Sequence, residues 1–234
     1  MASADQIKMQ LIQASKALFE AGVMSHSGHG NMSARIDGER IVITSVGTMR
    51  HLTPDDLAVV TLGGKVVEGR LDPVAAEIVG MHAGVYRTRD NVGSVIHTHS
   101  PAVTTFALAN KPLPNAYEAM LRFGFAGEVP VAPWAPRGSK ESVANIVDQM
   151  RGHPDSPAVL LGNHGLLAFN DNPVSTARLV VVMEEGAEAV IGARLLGGEK
   201  PFPRGAFEWE RAHMAAHGSR QGEARAPSRL EDQV

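Results

Sequence analysis

Apolar residues along the chain alternate between helical spacing and strand spacing, and the pattern predicts its own elements. Residues 3–22 put Ile7, Leu11, Ala14 and Leu18 on one helical face, with Ser3 and Gln6 spaced as a capping box and Gly22 as a stop. HSGHGNMSAR (26–35) reads as a glycine-punctuated loop or the entry to a strand. RIVIT (40–44) predicts a strand, and residues 57–69 a hairpin around Gly63-Gly64. Ile78, Met81 and Val85 give residues 74–87 a helical period. NVGSVIHTH (91–99) predicts a strand, and SPAVTTFALAN (100–110) a helix with Ser100 as N-cap and Pro101 in first position. EVPVAPW (128–134) predicts a short strand at an edge or end, because proline has no N–H to give a ladder. Residues 139–150 predict a helix, and PAVLLGNHGLLAF (157–169) a strand, tight turn and strand. A long helix follows at 172–197, opened by Asn172-Pro173 and stopped by Gly197-Gly198, and EWERAHMAAHG (208–218) reads as a terminal helix. Residues 218–234 are polar without period and predict a flexible tail. No repeat or linker divides residues 1–217. The expected fold class is α/β: one domain with a mostly antiparallel sheet and flanking helices.

Composition narrows the chemistry. Hydrophobic residues make up 44% and charged residues 20%, an ordinary globular mixture. A net charge of -3 argues against nucleic acid, whose binders need a basic surface. With no cysteine, any metal must be held by His, Asp or Glu. MASADQIKMQ lacks the basic start and apolar run of a signal peptide, and no window approaches a membrane span of roughly 20 apolar residues. These features lead to the expectation of a soluble, cytoplasmic protein without a membrane partner.

The candidate chemistry gathers around histidines. In a strand, residues i and i+2 point to one face, so His97 and His99 can reach a single cation. Taken alone, ordinary core or surface histidines explain most such pairs, and a third ligand is needed. His164 in GNHG sits on a polar turn between two apolar strands, where active-site groups are often mounted. Glu77 in DPVAAEIVGMH is read as first-turn in the helix before the His-x-His strand. The helix dipole alone would favour an acid there; a metal ligand or general base is the functional alternative.

GNMSAR, an E…H…Y…R run leading into VIHTHSPAV, and GNHGLLAF occur in that order. Over about residues 6–197 this set resembles the class II aldolase/adducin family, which holds metal-dependent aldolases, 4-epimerases, decarboxylases and a non-catalytic adducin branch. The resemblance implies a three-layer α/β/α fold and a homotetramer with active sites between subunits. It implies a divalent metal on His97, His99 and His164, zinc first, with manganese or cobalt suited to the same ligands. It implies Glu77 as the catalytic acid/base. The reaction expected is cleavage or formation of a C–C bond in a small hydroxy-carbonyl compound through a metal-stabilised enediolate. Decarboxylation or 4-epimerisation are the alternatives, and retention of the three histidines with Glu77 argues against the adducin branch.

Two departures from the family pattern matter. Sugar-phosphate members carry serines just before the glutamate; here stand Ala75 and Ala76, and Val46 replaces a usual threonine. Each lost charge-assisted hydrogen bond to a phosphate would cost roughly 1.5–3 kcal/mol, so an unphosphorylated substrate is expected. Asn31 and Gly47 match the family's substrate-side positions, with Ser45 nearby. The family's tyrosine proton donor, which reaches in from a neighbouring subunit, falls within NAYEAM, so Tyr117 is the expected donor and Glu118 the adjacent substrate-side candidate. His26 and His29 are expected at the cleft rim. Arg122 and Arg137 could each bind a substrate carboxylate, ordinary ion pairing being the plainer expectation. His51, His82, His153, His213 and His217 lack ligand spacing with the three histidines and are expected to be structural.

Overall fold

The computed structural model describes residues 3–217. The predicted flexible tail, 218–234, lies outside them. Strands β1 (Gly30–Arg35), β2 (Arg40–Thr44), β3 (Leu57–Thr61), β4 (Val66–Glu68), β5 (Ser94–Thr98), β6 (Val131–Ala132), β7 (Ala158–Leu161) and β8 (Gly165–Asn170) form one sheet, ordered β4-β3-β2-β1-β5-β8-β7-β6. Every neighbour pair is antiparallel except β6 with β7. The proline-flanked β6 lies at the sheet edge, where the N–H groups that Pro130 and Pro133 lack are not called on by a further strand.

Side-chain alternation sorts the sheet into two cores. Met32, Ile96, Leu166 and Ala168 face one cluster with Leu11, Val103, Phe106, Met120 and Met183. That layer holds helices α1 (Ala4–Glu20), α3 (Pro101–Leu108), α4 (Glu118–Arg122) and α6 (Pro173–Leu195). Val95, Val159, Leu167 and Phe169 face the other cluster with Ile78, Tyr86, Ile146 and Met150, from α2 (Pro73–Thr88) and α5 (Lys140–Gly152). The molecule is therefore a three-layer α/β/α sandwich, closed C-terminally by α7 (Ala206–His217). Among the described residues no helix is long and apolar enough to cross a membrane.

The capping box at α1 is present, with Ser3 accepting from the Gln6 N–H and Gln6 from the Ser3 N–H. Ser100 stands at the N-cap of α3, yet its hydroxyl contacts Thr98 rather than capping. The cap comes instead from Glu184 on α6. Its buried carboxylate accepts the N–H groups of Ala102 (2.7 Å) and Val103 (2.9 Å), and burial pushes its pKa up. A charge-assisted pair at a helix N-terminus ties α3, and with it the segment just after the histidine strand, to the long helix behind the sheet.

Candidate metal centre

His97 follows Val95 on the β5 face turned toward α2 and α5, at the open end of the strand. His99 lies one residue beyond the strand, so the expected strand 91–99 is shorter than predicted at both ends. His164 is carried on the turn between β7 and β8, where Asn163 takes a left-handed φ of 56°. The three rings cluster, with centroids 4.6–5.0 Å apart. A Cβ on Gly165 would fall 2.6 Å from the Thr98 carbonyl oxygen and 2.9 Å from the His99 ring, so only glycine lets the turn close on the pair.

The donor set fits a first-row divalent cation. One ring nitrogen from each histidine lies within 4.8 Å of the others. His97 Nδ1 donates to the Leu166 carbonyl at 2.7 Å, which leaves the lone pair on Nε2. That Nε2 sits 3.1 Å from His99 Nε2, a distance at which two ring nitrogens need a proton or a cation between them. Protonation is disfavoured at all three. Burial, then His164 and His99, push His97 well below its usual pKa. Burial, then His29 and Arg137, lower His99; burial, then His99 and Arg137, bring His164 to about 4. Three neutral imidazoles with converging lone pairs suit zinc and its neighbours, and three protein ligands leave a position open.

The histidines open into a cleft of about 510 Å3 between the sheet end, α2 and the loop before α5. Glu77 lines it, but as the fifth residue of α2, beyond the first turn; the dipole explanation for an acid there does not hold. Arg137 shares the lining, with Nε 3.5 Å from Glu77 Oε2 and Nη2 donating to the Val74 carbonyl at 2.8 Å. Asn31, Gly47 and His29 also line the cleft, whereas Ser45 is buried at the end of β2, engaged through its backbone with Asp56 and Asp72. Tyr117 and Glu118 do not line the cleft of their own chain: the Tyr117 hydroxyl meets Glu185 at 3.4 Å, and Glu118 pairs with Arg122. Arg122 also binds the buried Glu210 and is an ordinary ion-pairing residue.

The spacing along the chain left unread what stands behind Asn31. Asn31 faces His97 across the β1–β5 ladder, and its Oδ1 lies 2.6 Å from His82 Nε2. His82 Nδ1 lies 2.7 Å from Ser33 Oγ, and Ser33 Oγ 2.8 Å from the Tyr86 hydroxyl. The polarity of this buried chain is set at Asn31, whose Oδ1 can only accept; read back from it, the Tyr86 hydroxyl donates to Ser33. Ser33 then donates to His82 Nδ1, and His82 Nε2–H to Asn31 Oδ1. Reversing every bond would strand the Tyr86 O–H in the core, at about 1–3 kcal/mol. The Asn31 amide is thereby oriented with its NH2 left for the cleft. The i, i+4 spacing of His82 and Tyr86 on α2 was the available clue.

Burial pushes His82 down to about 3. As pH falls from about 6.5 toward 3, the unfolded chain takes up a proton that the folded chain refuses, so stability falls across that window. Metal-free protein should lose about 2 kcal/mol between pH 7 and pH 5 from this group alone. Long-range 1H–15N correlation at pH 5 should show His82 neutral with its hydrogen on Nε2; a His82 titrating near 6.5 would contradict the chain.

A three-layer sandwich whose histidine cluster opens into a lined cleft has the layout of a small-molecule site. The Class II Aldolase and Adducin N-terminal domain family matches residues 9–191, and the chain belongs to that family. It is 28% identical over 202 residues to the 5-deoxy-D-ribulose 1-phosphate aldolase of Bacillus thuringiensis serovar kurstaki, covering 85% of this chain and 91% of that protein. It is 28% identical over 187 residues to the methylthioribulose-1-phosphate dehydratase of Hahella chejuensis, covering 75% and 88%. A solved structure of L-fuculose 1-phosphate aldolase superposes with a TM-score of 0.79 at 30% identity, covering 92% of this chain and 98% of that one. These relatives are named as enzymes, and the chain is an aldolase-type lyase.

Proposed function

We propose that the protein is a divalent-metal-dependent lyase that makes or breaks a C–C bond in an unphosphorylated hydroxy-carbonyl compound. The observation that carries this reading is the convergence of three imidazoles on a cleft that also holds Glu77. His97, His99 and His164 would hold the cation, zinc first, with manganese or cobalt accommodated by the same nitrogens. When bound, it supplies Lewis acidity to adjacent carbonyl and hydroxyl oxygens as C–C cleavage leaves negative charge there. The remaining work falls to side chains. Glu77, half exposed and outside the ligand cluster, lines the cleft where it can take a hydroxyl proton or return one to carbon. Asn31 offers its oriented NH2 to a substrate oxygen, with the Gly47 backbone beside it on the lining. Tyr117 or Glu118 of a neighbouring subunit would supply the second proton in a homotetramer with sites between subunits.

The named relatives act on phosphorylated sugars. Here Val46, Val74 and Ala75 line the cleft, and Ser142 is the one hydroxyl side chain on that lining. This supports a substrate without a phosphate. Product analysis by NMR tests the reading, using metal-loaded protein with ketose 1-phosphates, their free ketoses and 2-keto-4-hydroxy acids. An aldehyde with a small ketone or keto acid, preferentially from the unphosphorylated compounds, is expected. Water loss without cleavage would instead align the chain with its dehydratase relative, and carbon dioxide would make it a decarboxylase.

A further inference from the structure

Arg137 is the one cationic side chain among the lining residues of the cleft. The Pro136-Arg137-Gly138 loop holds it there. Gly138 has a left-handed φ of 76°, and a Cβ in its place would lie 3.2 Å from Glu77 Cβ, so the loop backbone closes directly on α2. The hydrogen bond from Nη2 to the Val74 carbonyl fixes the plane of the guanidinium. Its Nε approaches Glu77 at 3.5 Å, a long contact for an ion pair. Among the described residues, Nη1 and the second hydrogen of Nη2 have no partner. A half-exposed guanidinium, held in place with three N–H donors unspent and aimed at a cleft, is built to receive a planar anion.

The rest of the lining limits which anion. A phosphate dianion calls for several donors around it, whereas the walls here are largely aliphatic, with Val46, Val74, Ala75 and Ile78. A carboxylate carries one charge and two coplanar oxygens, which one guanidinium can satisfy. We infer that Arg137 binds a carboxylate of the substrate, so that the cleft takes a hydroxy-keto acid. This rests on the cleft being the reaction site proposed above, and it deepens that reading by naming the substrate class. It also gives the Glu77–Arg137 contact a purpose: a carboxylate arriving at Arg137 competes with Glu77 for the guanidinium and frees the acid/base.

The test is calorimetric titration of metal-loaded protein with pyruvate, the smallest compound joining a carbonyl to a carboxylate. Pyruvamide serves as its uncharged counterpart and dihydroxyacetone phosphate as the phosphate arm. Wild type should bind pyruvate at least about tenfold more tightly than pyruvamide. Arg137→Leu should weaken pyruvate about 10- to 100-fold and leave pyruvamide unchanged, with Arg137→Lys between because it keeps the charge and loses the fork. Equal binding of pyruvate and pyruvamide by wild type, or unchanged pyruvate binding in Arg137→Leu, overturns the inference. So does dihydroxyacetone phosphate binding more tightly than pyruvate in an Arg137-dependent way. Metal content measured on the same samples reads the functional proposal separately: a wild type that holds no metal overturns that proposal, while the difference between pyruvate and pyruvamide still decides the role of Arg137.

Discussion

Replacing His97 with alanine is expected to weaken divalent-metal binding by at least about a hundredfold, because loss of an outer partner of a metal ligand alone costs 10- to 100-fold. His97 is the most buried of the three histidines and the one whose lone pair is set by a backbone acceptor, the Leu166 carbonyl. Its removal takes away a ligand and also the ring against which His99 and His164 are arrayed. Competition against a chromophoric chelator measures the loss. His164→Ala gives the same reading from a half-buried turn outside β5, so a fold defect at β5 cannot be mistaken for a lost ligand. Retained tight stoichiometric binding in both variants would contradict the assignment.

Glu77→Gln is expected to reduce turnover by about 10²- to 10⁴-fold, the range for losing a general acid/base, while leaving metal content unchanged. The two effects separate because Glu77 lies outside the histidine cluster. The side chain is half exposed and Gln can still meet Arg137, so stability should stay within about 0.5 kcal/mol of wild type. Single-turnover kinetics with metal analysis on the same preparation checks this. A variant that loses metal in parallel with activity would make Glu77 a ligand instead of a proton carrier.

The parts legible in the sequence were those written in local spacing. The α1 capping box, the strand at 40–44, the turn at Gly162–Gly165 and the His-x-His pair each depend on residues a few positions apart. The third histidine came from its setting on a turn between two apolar strands. What escaped depends on pairing across the fold. Glu184 reads as one more polar residue of a long helix until α3 is laid against it. His82 reads as structural until β1 pairs with β5 and brings Asn31 and Ser33 onto the face that α2 covers. The five-residue α4 is too short to show a period. Glu77 was assigned one turn too early because the helix start is set by Asp72-Pro73, and Arg137 gained its meaning only when its loop closed on α2.

In the function proposed above, three imidazoles hold the cation on which C–C cleavage depends. The most direct measurement is a titration of chelator-stripped protein with cobalt(II), following the visible absorption of the bound ion and the cleavage rate on the same samples. Both should rise together and saturate at one equivalent per chain. Cleavage that persists in the stripped protein, or that stays absent when the absorption has saturated, would contradict it.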